Sequence, residues 1–134
     1  MSIRRAERTG RCNCGAVNFV ATGPFRPAKA CHCKTCRRQS GHFLAATQID
    51  RTDLRISGEE AISWYDASAK ARRGFCRTCG AHLFWVSNRS DRISILMGCL
   101  DEPTGIELAD HIFVAEKGDY YEIADGLPQS AQGS

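Results

Sequence analysis

The cysteine spacing of this chain restricts what it can fold into more than any other feature. Eight cysteines fall as C-x-C at Cys12 and Cys14, C-x-C-x-x-C at Cys31, Cys33 and Cys36, C-x-x-C at Cys76 and Cys79, and Cys99 alone. In C-x-C, residues i and i+2 of an extended chain point to one side, so both sulfurs can converge. In C-x-x-C a tight turn does the same, and the glycines that follow each pair, Gly15 and Gly80, let the chain swing away. Zinc prefers four tetrahedral ligands, and thiolates are its commonest structural donors. Cys12, Cys14, Cys76 and Cys79 therefore read as one closed, structural zinc site that joins the first strand to the middle of the chain. Binding free energies of roughly 10–16 kcal/mol make such a metal part of folding itself. The alternative is two unrelated pairs, free or redox-active.

The second group differs because three cysteines crowd into six residues. In C-H-C the central His32 points opposite to Cys31 and Cys33 and is not counted as a ligand. Three thiolates with one open position is the pattern of a reactive zinc site. A second structural site, completed by Cys99 or a histidine, is the alternative. Cys99 lies in the apolar run ISILMGCL and reads as a small buried hydrophobe. Lys34, Arg37 and Arg38 surround the trio in sequence. They would stabilise a net negative metal centre and receive substrate carboxylates, or else form a solvated basic loop. His42, His82 and His111 are candidates for acid–base work, but each sits beside apolar residues and reads as a hydrogen-bonded, partly buried ring.

At 134 residues the chain fits one domain. A net charge of +3, without a basic run or interleaved arginines and aromatics, argues against nucleic-acid binding. The opening MSIRRAERTG lacks the apolar core of a secretory signal. No apolar stretch reaches the roughly 18 residues that a membrane span needs. The cysteines thus read as those of a reducing, cytoplasmic compartment, where metal or redox chemistry is favoured over disulfides. Short strand-like runs fall at 16–22, 43–49, 54–56, 61–65, 72–75, 82–86, 92–97, 111–114 and 121–123, several of them separated by turn residues. No helical period extends over ten residues, and the segment 31–40 reads as a loop running into one short helical turn. The expected fold is mainly β, with mostly antiparallel sheets and at most one or two short helical turns. Residues 1–9 read as a flexible arm, 10–128 as a single zinc-binding domain, and 129–134 as a disordered tail.

Beyond spacing, R-C-N-C-G-A-V (11–17), C-H-C-K-T-C-R-R-Q-S-G (31–41), F-C-R-T-C-G-A-H-L (75–83), H-I-F-V-A-E-K (111–117) and D-G-L-P (125–128) resemble the glutathione-dependent formaldehyde-activating enzyme family, which also includes centromere protein V. The resemblance runs from Arg11 to Pro128. It implies a β-tent fold with a structural zinc on Cys12, Cys14, Cys76 and Cys79 and a catalytic zinc on Cys31, Cys33 and Cys36. It also implies a carbon–sulfur lyase or synthase that makes or cleaves a thiol–aldehyde adduct such as S-hydroxymethylglutathione. Glutathione would be the co-substrate, with carboxylates on Lys34, Arg37 and Arg38. The chain departs from the family pattern at 118–121 (GDYY), where relatives often carry tryptophan, and at 65–68 (YDAS), which lacks a common serine. Both departures bear on the identity of the thiol and aldehyde. The competing expectation is a non-enzymatic zinc module of the same fold that binds a protein partner.

Overall fold

Residues 7–133 are described by a computed structural model of the chain. In chain order the strands are β1 (Glu7–Arg11), β2 (Asn18–Thr22), β3 (Ala28–Cys31), β4 (Leu44–Asp50), β5 (Leu54–Ser57), β6 (Ile62–Asp66), β7 (Ala71–Cys76), β8 (His82–Ser87), β9 (Arg92–Leu96) and β10 (Leu108–Ile112). Helix is confined to the seven-residue α1 (Lys34–Ser40) and short 3-10 turns among the described residues. Two sheets result, one of three strands in the order β1-β2-β5 and one of seven in the order β10-β3-β4-β9-β8-β7-β6. The mainly β expectation is met. Pairing is antiparallel except between β10 and β3, which run parallel.

Strand alternation explains how the larger sheet acquires two different faces. Ile49 of β4 stands opposite Ile93 of β9, while Phe84 and Val86 of β8 stand opposite Ile95 and Ile93. All of these are buried. They meet Val17, Phe19 and Ala21 from the smaller sheet, with Phe19 and Phe84 in edge contact at 5.5 Å. The intervening residues Gln48, Ser94 and Trp85 occupy the opposite face, where a cavity opens. One face of the large sheet therefore builds the core, and the other is free to build a site.

Several segments differ from the sequence expectation. Residues 7–9, read as part of a flexible arm, belong to β1, which pairs with β2 and is bridged from Gly10 to Leu100; residues 1–6 lie outside the described residues. β3 was hidden because Pro24 and Pro27 mark a loop and because alanine, which supplies its buried positions Ala28 and Ala30, has little strand preference. The run 121–123 is not a strand. The end of the chain, expected to be a disordered tail, is docked: Pro128, Ser130 and Gln132 accept hydrogen bonds from the amides of His111, Val114 and Phe113. Ser130 donates in return to the His111 carbonyl. This segment covers the edge that β10 would otherwise leave open. Among the described residues, no helix is long and apolar enough to cross a membrane.

Candidate metal centres

Cys12 and Cys14 sit on the turn from β1 to β2, and Cys76 and Cys79 on the turn from β7 to β8. Their four sulfurs lie within 4.8 Å of one another. The Cys12–Cys14 and Cys14–Cys76 sulfur separations are both 3.7 Å. Tetrahedral thiolates at zinc–sulfur distances of about 2.3 Å stand about 3.8 Å apart, so the cluster has the dimensions of a metal site. Backbone amides reinforce it: Val17 donates to the Cys12 sulfur at 3.3 Å, and Thr78 and Cys79 donate to that of Cys76 at 3.4 Å each. Such bonds favour thiolate over thiol. The Cys79 thiol is lowered to about 6, first by the backbone at Ala81 and then by that at Cys14. Gly15 and Gly80 both take positive φ, 84° and 80°, the left-handed turn that each knuckle requires.

The trio is assembled by β3 and α1. Cys31 ends the strand, Cys33 caps the helix by accepting the Cys36 amide at 3.4 Å, and Cys36 lies buried in the first turn. The three sulfurs lie within 4.8 Å of one another, and among the described residues no fourth cysteine, histidine or carboxylate joins them at that range. Cys99 belongs to neither group. Its sulfur donates to the His82 carbonyl at 3.2 Å, and burial first, then the charges of Cys12 and Cys79, push its thiol up to about 11. Within the trio, hydrogen bonds from Cys31 and Cys36 hold Cys33 down to about 2, while hydrogen bonds with Cys33 and then Cys36 push Cys31 up.

A cavity of about 500 Å³ opens onto the trio, floored by Trp85, Ser94 and Gln48. Its lining includes four cations, Arg26, Lys29, Lys70 and Arg73, and, among the described residues, no carboxylate. Lys29 is paired with Asp110 at 3.0 Å. Phe113 also lines it, held at a φ of 56° that a bulky residue rarely adopts. A larger groove of about 630 Å³, between Phe25 and Leu108, contains no thiol.

Lys34, Arg37 and Arg38 are not among the cavity's lining residues. Lys34 and Arg38 are rotated well away from the helix face of Cys36, whereas Arg37, four residues from Cys33, is drawn off by Glu116. The Lys34 amide instead donates to the Glu116 carboxylate at 2.9 Å, and the Arg37 guanidinium donates to the Glu116 carbonyl at 2.7 Å. One of the cations that line the cavity has a signal in the sequence. Lys29 stands two residues before Cys31 and, in an extended chain, shares its face.

His32 does point away from the two cysteines beside it, into a buried chain. Its Nδ1 lies 2.6 Å from the Tyr121 hydroxyl, its Nε2 2.9 Å from His111 Nδ1, and His111 Nε2 lies 2.7 Å from Asp125. The carboxylate can only accept, so His111 donates to Asp125; with both rings neutral, His32 then donates to His111 and Tyr121 donates to His32. Burial above all lowers His32 to about 4, consistent with a neutral ring. His42 bonds the Tyr120 hydroxyl. Among the described residues, His82 has no partner for either ring nitrogen.

Comparison with known proteins agrees with this geometry. Residues 7–116 match the profile of a family described as glutathione-dependent formaldehyde-activating enzyme. An uncharacterised lyase of Schizosaccharomyces pombe is 27% identical over 121 residues, covering 89% of this chain and 87% of its own. A crystal structure of a Rhodobacter sphaeroides protein shares the fold, with a TM-score of 0.61 at 23% identity, over 90% of this chain and 98% of that one.

Proposed function

This chain belongs to the glutathione-dependent formaldehyde-activating enzyme family, and we propose that it is a zinc-dependent carbon–sulfur lyase or synthase acting on a thiol–aldehyde adduct such as S-hydroxymethylglutathione. In the forward direction the thiol sulfur bonds to the aldehyde carbon, and the thiol proton ends on the aldehyde oxygen; cleavage is the reverse. The observation that carries this reading is the convergence of Cys31, Cys33 and Cys36, without a fourth ligand among the described residues, at a cation-lined cavity.

Both cysteine clusters suit zinc by donor type and spacing. Cys12, Cys14, Cys76 and Cys79 would hold a structural ion, and the trio a catalytic one. A zinc ion on the trio would keep an incoming thiol ionised near neutral pH, where a free thiol is mostly protonated. The protein supplies the rest. Lys29, Lys70 and Arg26 offer charge to the two carboxylates of glutathione, replacing Lys34, Arg37 and Arg38 in that role. Trp85 and Leu96 give the cavity apolar wall. Formaldehyde adds thiols without help, so holding both reactants side by side is most of what the site must do.

The test is adduct formation from glutathione and formaldehyde followed by NMR, with a panel of other thiols and aldehydes alongside. Protein should accelerate exchange with at least one anionic thiol, and Cys33→Ser should return the rate to the uncatalysed value. Identical rates with and without protein across the panel would reject the reading.

A further inference from the structure

Two side chains, Arg73 and His82, keep buried polar atoms that nothing among the described residues satisfies. Arg73 of β7 is only 6% exposed; its Nη1 donates to the Cys36 sulfur at 3.4 Å, and its Nε has no partner. His82 of β8 stands opposite Phe75, beyond a register shift in the β7–β8 pairing. Among the described residues no carboxylate pairs with Arg73. A guanidinium is always charged, and a buried charge without a counter-charge is strongly disfavoured. The counter-charge within reach is the sulfur cluster.

We propose that Arg73 is a positioning residue that balances the charge of the Cys31–Cys33–Cys36 centre and thereby biases a metal bound there toward an anionic sulfur as its fourth ligand. The inference rests on the metal-centre reading of the trio given above. Three thiolates around a divalent cation leave one net negative charge, and a fourth thiolate leaves two. In a low-dielectric pocket each added negative charge is costly unless a fixed cation stands close by. Arg73 meets that need directly, through a sulfur of the cluster. The neighbouring groups do not substitute for it. Burial, and next the charge of Arg73, lower His82 to about 4, so its ring is neutral near pH 7. Lys29 is engaged by Asp110, and among the described residues neither Arg26, which donates to the carbonyls of Pro27 and Ala46, nor Lys70 donates to a sulfur of the trio as Arg73 does.

The experiment uses the full chain produced in cobalt(II)-supplemented minimal medium, so that cobalt enters as the protein folds, and the cobalt thiolate charge-transfer and d–d bands report the ligand set. Cys33→Ser identifies which bands belong to the trio. The probe is 2-mercaptoethanol, a thiol without carboxylates, so the cavity's other cations do not enter the result. In the wild type and in Arg73→Lys, the thiol should shift the trio bands. In Arg73→Gln and Arg73→Met, its affinity should fall by about tenfold or more, the scale of one close charge pair. Trio bands with unchanged thiol affinity in the uncharged variants would overturn the role of Arg73 alone. Equal weakening in Arg73→Lys and the uncharged variants would overturn it too, because packing rather than charge would then be responsible. Cobalt bands that ignore Cys33→Ser would sink the metal-centre reading itself, and the role of Arg73 with it.

Discussion

His82 buries an imidazole whose two nitrogens meet no partner among the described residues, and its ring is lowered to about 4, first by burial and then by Arg73. In the unfolded chain an ordinary histidine titrates near 6.5. The folded value lies below the unfolded one, so stability is full above about 6.5 and is lost as pH falls toward 4, where the unfolded chain accepts a proton the native ring refuses. His82→Leu should therefore match the wild type at pH 7 or exceed it by up to about 1 kcal/mol, because no hydrogen bond is removed. Its advantage should widen at pH 5.5. Urea denaturation at the two pH values checks this, and a variant weakened at both would show that the ring has a partner after all. The same scale shows what could be read from single residues. Cysteine pairs were legible because i, i+2 and i, i+3 spacings carry a fixed geometry. Most of the cavity's cations were not: Lys34, Arg37 and Arg38 are near the trio in sequence but do not line its cavity, whereas Arg73 approaches Cys36 from a strand 37 residues further along. Tyr121 and Asp125 were missed for the same reason, since nothing local ties them to His32.

Elements were legible where apolar alternation marks a buried face. β4, β8 and β9 all place isoleucine, valine or phenylalanine on the core side, and their runs were evident. β1 and β3 carry no such mark. One is polar at the edge of the small sheet, and the other is built on alanine. β10 was placed late, because only its parallel pairing with β3 defines where it begins, and parallel partners are distant in sequence. The docked end of the chain is the least local element of all. Its polar residues promise no burial, and it is held by backbone hydrogen bonds that composition cannot reveal. Truncation after Leu127 should leave both sheets folded while unlocking this edge. The amides of His111, Phe113 and Val114 should exchange at least about tenfold faster, with those of β4 and β9 unchanged. Hydrogen exchange read by mass spectrometry or NMR distinguishes the outcomes. Unchanged protection at 111–114 would mean that the edge is covered without the tail.

The two sheets meet through an apolar face and, at one end, through sulfur. The Cys12/Cys14 turn belongs to the small sheet and the Cys76/Cys79 turn to the large one, so a metal on this cluster would tie the sheets together. The free energy of a structural zinc, about 10–16 kcal/mol, is as large as the whole stability of an ordinary domain, about 5–15 kcal/mol. The apolar contact is real, but the small sheet contributes only three strands to it. Losing the clamp should therefore cost the fold and not merely a local turn. The trio is different: α1 and β3 place it on the outer face of the large sheet, away from the seam between sheets, so its loss should spare the architecture. Cys76→Ser, or a strong chelator, should abolish the native sheet signal in circular dichroism. Cys33→Ser should keep that signal and lower the bound metal by one ion per chain. If Cys76→Ser retained a native spectrum, the apolar faces alone would be sufficient to hold the sheets, and the four-cysteine cluster would have to be a second reactive site.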